Sequence, residues 1–235
     1  MLMMMADWMQ GPYVYALYDS YGFDMQAIGI LFVAGFGSSA VFGTFVGGLA
    51  DRYGRRANCM IFVVLYSFSC VTKHFNDFYW LLAGRILGGI STSILMSAFE
   101  TWMVHEHTTR HAFPEKWLGS TFGLMTFGSG IVAILAGLIA SPLAAEFGPV
   151  APFDASLVLL VFGGALVTMW WPENFGDQRS DGWGLQTFSK AISLMASSER
   201  LTLLAVTQTC FESAMYLFVF MWTPALEEAQ KMLAA

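Results

Sequence analysis

The stretch GGLADRYGRR, residues 47–56, sets one aspartate and three arginines between two apolar runs. Residues 26–50, which run into it, contain no Lys, Arg, Asp or Glu, and neither do residues 117–145 further along. Crossing a hydrocarbon layer ~30 Å thick takes about 20 such residues at a rise of ~1.5 Å each. Both runs are long enough to cross, so the charged stretch reads as a tight turn between two membrane spans.

Composition agrees with this. Of 235 residues, 56% are hydrophobic and 12% charged, with a mean hydropathy of +0.58. A soluble domain is roughly 25% charged, so lipid rather than water is the expected solvent. The net charge of −6 implies no nucleic-acid partner. In a membrane protein the position of each charge says more than the sum. Cys59, Cys70 and Cys210 lie in apolar stretches without CxxC or zinc spacing, and they read as small buried packing residues. The opening MLMMMADW has no basic segment and carries Asp7 where a signal peptide would be apolar, so it reads as the interior of a longer chain.

Charge-poor stretches give seven expected spans: an incomplete first one ending near Tyr18, then 26–50, 57–73, 78–104, 117–145, 155–171 and 201–223. The connections 51–56, 105–116 and 172–200 carry Arg52, Arg55, Arg56, Arg110, Lys116, Arg179, Lys190 and Arg200. Those at 73–77 and 141–154 are short or poor in positive charge. The positive-inside rule places the first three loops in the cytosol. The longest polar stretch, 172–200, is the best boundary. It divides the chain into a six-span bundle over 1–171, a cytosolic interdomain loop over 172–200, and the start of a second bundle over 201–235. A weak echo between FGSSAVFGTFVGG at 36–48 and FGSGIVAILAG at 127–137 fits repeats three spans apart.

Asp51-Arg52-Tyr53 in seven spans suggests a G-protein-coupled receptor, but the triplet follows the second span rather than the third. The last span also shows Trp222-Thr223-Pro224 in place of NPxxY. The wider pattern fits better: Gly47, Leu49, Asp51, Arg52, Gly54, Arg55 and Arg56 match the G-x-L-x-D-R-x-G-R-R/K signature between the second and third spans of the major facilitator superfamily. Its glycines permit the turn and close helix approach, and its acid and bases can pair and complement helix ends. This is a gating latch rather than a substrate site.

Further blocks narrow the resemblance. ADWMQGPYVYALY at 6–18, GRILGGISTSILMSAFETWMVHEH at 84–107, GPVAPF at 148–153 and FVFMWTP at 218–224 resemble the molybdate-anion transporter family of that superfamily. The resemblance implies an all-α transmembrane bundle, here partial: the N-terminal half, with helix one incomplete, plus helix seven of about twelve spans. It also implies molybdate or similar oxyanion uptake by alternating access, no enzymatic activity, no cofactor, and a plasma-membrane location. A carrier for another oxyanion or a small organic solute, or a non-transporting receptor or sensor, are the other readings.

Ionisable groups at membrane depth are functional candidates by default. Arg85 lies seven residues into the fourth span, about 10 Å from its outer end. Asp7 and Glu212 each lie about 16 Å deep, in the first and seventh spans. In the superfamily fold, helices one, four and seven line the central cavity. Arg85 then has two readings: an ion pair with Asp7 joining helices one and four, or an oxyanion ligand whose planar fork matches two oxygens of a tetrahedral anion. It also meets the superfamily's R-x-x-Q-G pattern with Gly88 in place of glutamine. Glu212, with Gln208 one turn before it, gives helix seven a polar stripe. A carboxylate facing a dianion repels it unless protonated, so Glu212 or Asp7 is a candidate proton carrier and protons a candidate coupling ion.

Gln10, Tyr13, Ser91, Thr92 and Ser93 are further candidate donors, with helix packing or backbone bonding as the competing reading. Lys73 is expected to snorkel at the outer end of helix three, and Glu100 to pair with Arg55 or Arg56. The string HEHTTRH at 105–111 lacks HExxH spacing, and its histidines suit a helix end, so no metal site is read there. No P-loop is present, which gives ATP-driven transport no support.

Overall fold

Single residues set several of the helix ends. The computed structural model describes residues 1–176 and 185–234. Asp24 starts α3 (Met25–Tyr53) by accepting from the Ala27 amide at 2.8 Å. Gly54 ends α3 at φ +103°, a backbone shape that costs glycine little, and α4 (Arg55–Thr72) begins at once. Asp77 opens α5 (Phe78–Leu95), accepting from the Tyr79 and Trp80 amides at 3.0 and 3.1 Å. The first expected span is two helices, α1 (Leu2–Gln10) and α2 (Tyr13–Ser20), separated at Gly11 and Pro12. Proline has no amide to continue the ladder.

The expected fourth span is likewise interrupted after α5, at Met96 and Ser97, before α6 (Ala98–His105) and a π-helical turn, Glu106–Arg110. Then come α7 (Leu118–Phe147), closed by Gly148 at φ +90°, and α8 (Ala151–Trp170). Residues 185–197 of the polar connection form α9 (Leu185–Ser197), and α10 is Glu199–Ala234. No strand occurs among the described residues.

Among the described residues five segments are long and apolar enough to span a bilayer: Met25–Val46, Phe78–Arg110, Glu115–Phe147, Ala151–Trp170 and Glu199–Leu226. The other two expected spans are also helical. α1 and α2 are short, and α4 is diluted by Arg55, Arg56, Asn58, Ser69 and Thr72.

The chain divides into two units, Met1–Arg179 and Ser180–Ala235. In the first, α3 packs along α5, α5 along α4, α4 on α8, α8 on α1, and α1 on α7. Its core joins Met3 and Ala6 of α1 with Cys59, Phe62, Val63, Tyr66 and Cys70 of α4, Ile94 and Leu95 of α5, Ala98 of α6, and Leu160 and Val167 of α8. α7 faces outward with Leu124, Phe127, Ile134 and Leu138, and buries only the small Ala136 and Ala140. That polarity is the reverse of a soluble helix and suits a lipid surround. Cys59 and Cys70 are buried as expected, whereas Cys210 is exposed on α10.

Small residues let the helices approach closely. A Cβ on Gly89 of α5 would collide with the Gly35 carbonyl and Ser38 Oγ of α3, and one on Gly84 with the Thr72 hydroxyl of α4. Ser39 and Ser93 join their hydroxyls across the α3–α5 seam at 3.0 Å, and Ser69 donates to the Gly84 carbonyl at 2.7 Å. Without a hydrophobic drive between helices in lipid, such contacts supply the association.

Candidate functional site

Arg85 projects from α5 onto one face of α3. Its Nε donates to the Leu31 carbonyl at 3.2 Å, and its Cζ sits 4.8 Å from the Phe32 ring centroid and 5.7 Å from that of Phe36. The side chain is only half-buried. Among the described residues no carboxylate lies within ion-pair distance of it, and Nη1 and Nη2 donate to no acceptor. The guanidinium is thus tethered through Nε, with its terminal nitrogens outside the hydrogen bonds of the described residues. That fork fits two oxygens of a tetrahedral anion.

Of the two readings of Arg85, the ion pair with Asp7 does not form among the described residues. Asp7 accepts instead from the Tyr66 hydroxyl at 2.5 Å, while Arg85 turns toward α3, where a carbonyl and two rings receive it. Tyr66 was not foreseen because it lies on α4, whose sequence shows only a tyrosine in an apolar run. Gln10 is buried: its amide donates to the Ala6 carbonyl at 3.2 Å and lies 3.5 Å from Cys70 Sγ, so it spends its donors on helix packing. Ser91, Thr92 and Ser93 donate to the carbonyls of Leu87, Gly88 and Ser39 at 2.8, 3.0 and 2.8 Å. They serve the backbone rather than an anion. Tyr13 packs beside Met9, Ala136 and Ala140.

Lys73 departs from expectation. Rather than reaching the interface it is 2% exposed, with Nζ donating to the Tyr18 hydroxyl at 3.0 Å and lying 5.4 Å from that ring's centroid. Tyr21 donates to the Lys73 carbonyl, which holds the end of α2 against the end of α4. In the second unit, α10 carries Gln208 and Glu212 on one face, with the Gln208 amide donating to Glu212 at 2.8 Å. Ala205, Thr209, Ser213 and Tyr216 flank them.

The signature loop is a built structure. Asp51 pairs with Arg55 at 3.0 Å across one helical turn and the Gly54 junction. Arg56 donates through Nη2 to the Thr168 carbonyl of α8 at 2.9 Å. Arg52 lies against Tyr53, and Gly47 and Leu49 sit within α3. Glu100 is exposed on α6 and pairs with neither Arg55 nor Arg56, because Asp51 and the Thr168 carbonyl already hold them. The acid that serves α4 is Glu173, just past α8: its carboxylate accepts from the Arg56 and Ala57 amides at 2.8 and 3.1 Å. A carboxylate there meets unpaired amides at the positive end of the helix dipole.

The neighbours of Glu173 extend this contact into a strap. The Asn174 carbonyl accepts from the Arg55 amide at 2.9 Å, and its side chain donates to Glu106 at 3.0 Å. Trp102 donates to the Pro172 carbonyl at 3.0 Å and stacks on Trp171 at 3.6 Å. The Gly176 amide reaches the Asp51 carbonyl at 3.3 Å, and a Cβ on Gly176 would collide with the Asp51 carboxylate. The only sequence signal for this strap is the polar run PEN directly after two tryptophans.

A helical bundle with membrane-length apolar helices, a charged interhelix latch and an arginine set within one of those helices describes a multi-pass membrane scaffold. The sequence profile of a major-facilitator family, described as sugar transporters with 12 TM, matches residues 1–233, and the chain belongs to that family. It is 40% identical over 224 residues to a molybdate-anion transporter of Xenopus tropicalis, covering 94% of this chain and 49% of that protein. The Xenopus laevis and Takifugu rubripes molybdate-anion transporters are 40% and 37% identical, over 94% and 97% of this chain and 49% and 52% of theirs. The chain spans about half the length of the curated relatives it matches.

Proposed function

We propose that this protein carries molybdate, or an oxyanion of the same shape and charge, across the plasma membrane by alternating access, with Arg85 as the anion ligand. One observation carries the reading: the Arg85 guanidinium is tethered at Nε, has no carboxylate partner among the described residues, and leaves its Nη fork for two oxygens. The names of the relatives supply the choice of molybdate. In this reading residues 1–171 are the N-terminal half of a carrier, 172–200 the cytosolic connection, and 201–235 the first helix of the second half. Residues 177–184 of that connection lie outside the described residues. Asp7 or Glu212 is the group that takes up a proton so that a dianion is not repelled, making the proton the coupling ion.

Uptake of radiolabelled molybdate by cells expressing the protein tests this. Uptake is expected to saturate, to be competed by sulfate, and to lose about ten- to a hundredfold in apparent affinity in Arg85→Gln, the worth of charge-assisted hydrogen bonds. No saturable uptake removes the carrier reading; saturable uptake indifferent to Arg85→Gln removes Arg85 from it. In Glu212→Gln, acid stimulation of uptake is expected to flatten, and an unchanged pH profile takes Glu212 out of the coupling.

A further inference from the structure

A cation this deep in a membrane protein ordinarily pairs with an acid or with a backbone carbonyl, and Arg85 meets a carbonyl together with two rings. A Cβ placed on Gly35 of α3 would come within 2.6 Å of Arg85 Nη2 and 2.8 Å of both Cζ and Nε. The guanidinium therefore occupies the volume a side chain at position 35 would fill. Three residues before Gly35 and one after it, Phe32 and Phe36 present their rings to the same group, 4.8 and 5.7 Å from Cζ. The Leu31 carbonyl fixes Nε. The two helices are closely packed at this point, with Gly89 of α5 lying against the Gly35 carbonyl and Ser38.

Ring faces and a carbonyl stabilise a cation without setting a negative charge against its terminal nitrogens. A carboxylate in their place would compete with every incoming anion. We propose that Gly35, with Phe32 and Phe36, positions Arg85: α3 takes the part of a counter-ion and holds the fork open for a tetrahedral oxyanion. This rests on the reading of Arg85 as the anion ligand. Gly35 touches no substrate in it and acts only through the guanidinium.

A double-mutant cycle read in molybdate uptake separates this from a packing role. Gly35→Ala is expected to raise KM about tenfold with Vmax unchanged, the loss of one charge-assisted hydrogen bond. In an Arg85→Gln background the same substitution is expected to change nothing more. Phe32→Leu and Phe36→Leu keep an apolar side chain and remove a ring face, so they carry the test if Gly35→Ala does not reach the membrane. Each is expected to raise KM about two- to tenfold, and only while Arg85 is present. Effects that persist at full size in the Arg85→Gln background, or a wild-type KM in Gly35→Ala and both leucine variants, overturn the inference. Arg85→Gln with wild-type uptake overturns the underlying reading instead.

Discussion

Arg85 and Lys73 are cations on neighbouring helices, both held against aromatic rings without a carboxylate within ion-pair distance among the described residues. They differ in access. Arg85 is half-buried with two donor nitrogens to spare, whereas Lys73 is 2% exposed and bonded to Tyr18. At the carbonyl end of α4 a positive charge is favourable, which accounts for a buried ammonium there. Removing the acceptor and removing the cation then have different costs. Tyr18→Phe strands a buried charge and is expected to cost about 1–3 kcal/mol. Lys73→Met removes the charge and fills its volume, and replacing buried ionic groups by apolar ones is often neutral or stabilising. Thermal unfolding of the purified protein in nanodiscs checks this: Tyr18→Phe is expected to melt lower than Lys73→Met, and the reverse order contradicts the account of the pair.

The strap from Pro172 to Gly176 ties the end of α8 to the α3–α4 junction and to α6. Its strength lies in Glu173 and in the absence of side chains at Gly54 and Gly176, since a Cβ at either would meet Glu173 or Asp51. Glu173→Gln keeps an acceptor but loses the charge at the α4 N-terminus, and is expected to lower stability by about 0.3–1 kcal/mol. Gly176→Ala is expected to cost more, because the Asp51 carboxylate must move. Melting temperatures of the two variants give the ordering; equal melting would mean that Asp51 relaxes freely. The signature itself was legible in sequence, since the aspartate and the glycine spacing match the superfamily pattern where a merely basic loop would need only the arginines. Its partner was not, because Glu173 lies 117 residues from Arg56 and no periodicity connects them. Glu100, nearer in sequence and read as the partner, is exposed on α6. The same limit applies to Asp7 and Arg85. Their depth follows from counting residues along a helix, but whether they meet depends on helix rotation, and Tyr66 and Leu31 take them instead.

Taken whole, the Met1–Arg179 unit is a helical bundle whose apolar surface faces outward, with polar groups on its inner seams and at the end that carries the α3–α4 junction. The succession of helices was readable because each apolar run is bounded by charge, glycine or proline. The breaks at Gly11–Pro12 and Met96–Ser97 were not, since hydropathy passes through them unchanged. Within this frame the latch belongs to the superfamily's scaffold and is silent about cargo, while the proposed cargo contact is one guanidinium seated on α3. Equilibrium binding of radiolabelled molybdate to the purified protein in nanodiscs tests that claim without requiring a transport cycle. Saturable binding is expected, displaced by sulfate and weakened about ten- to a hundredfold in Arg85→Gln. Binding of equal affinity in wild type and Arg85→Gln, or no saturable binding to the wild-type protein, would contradict it.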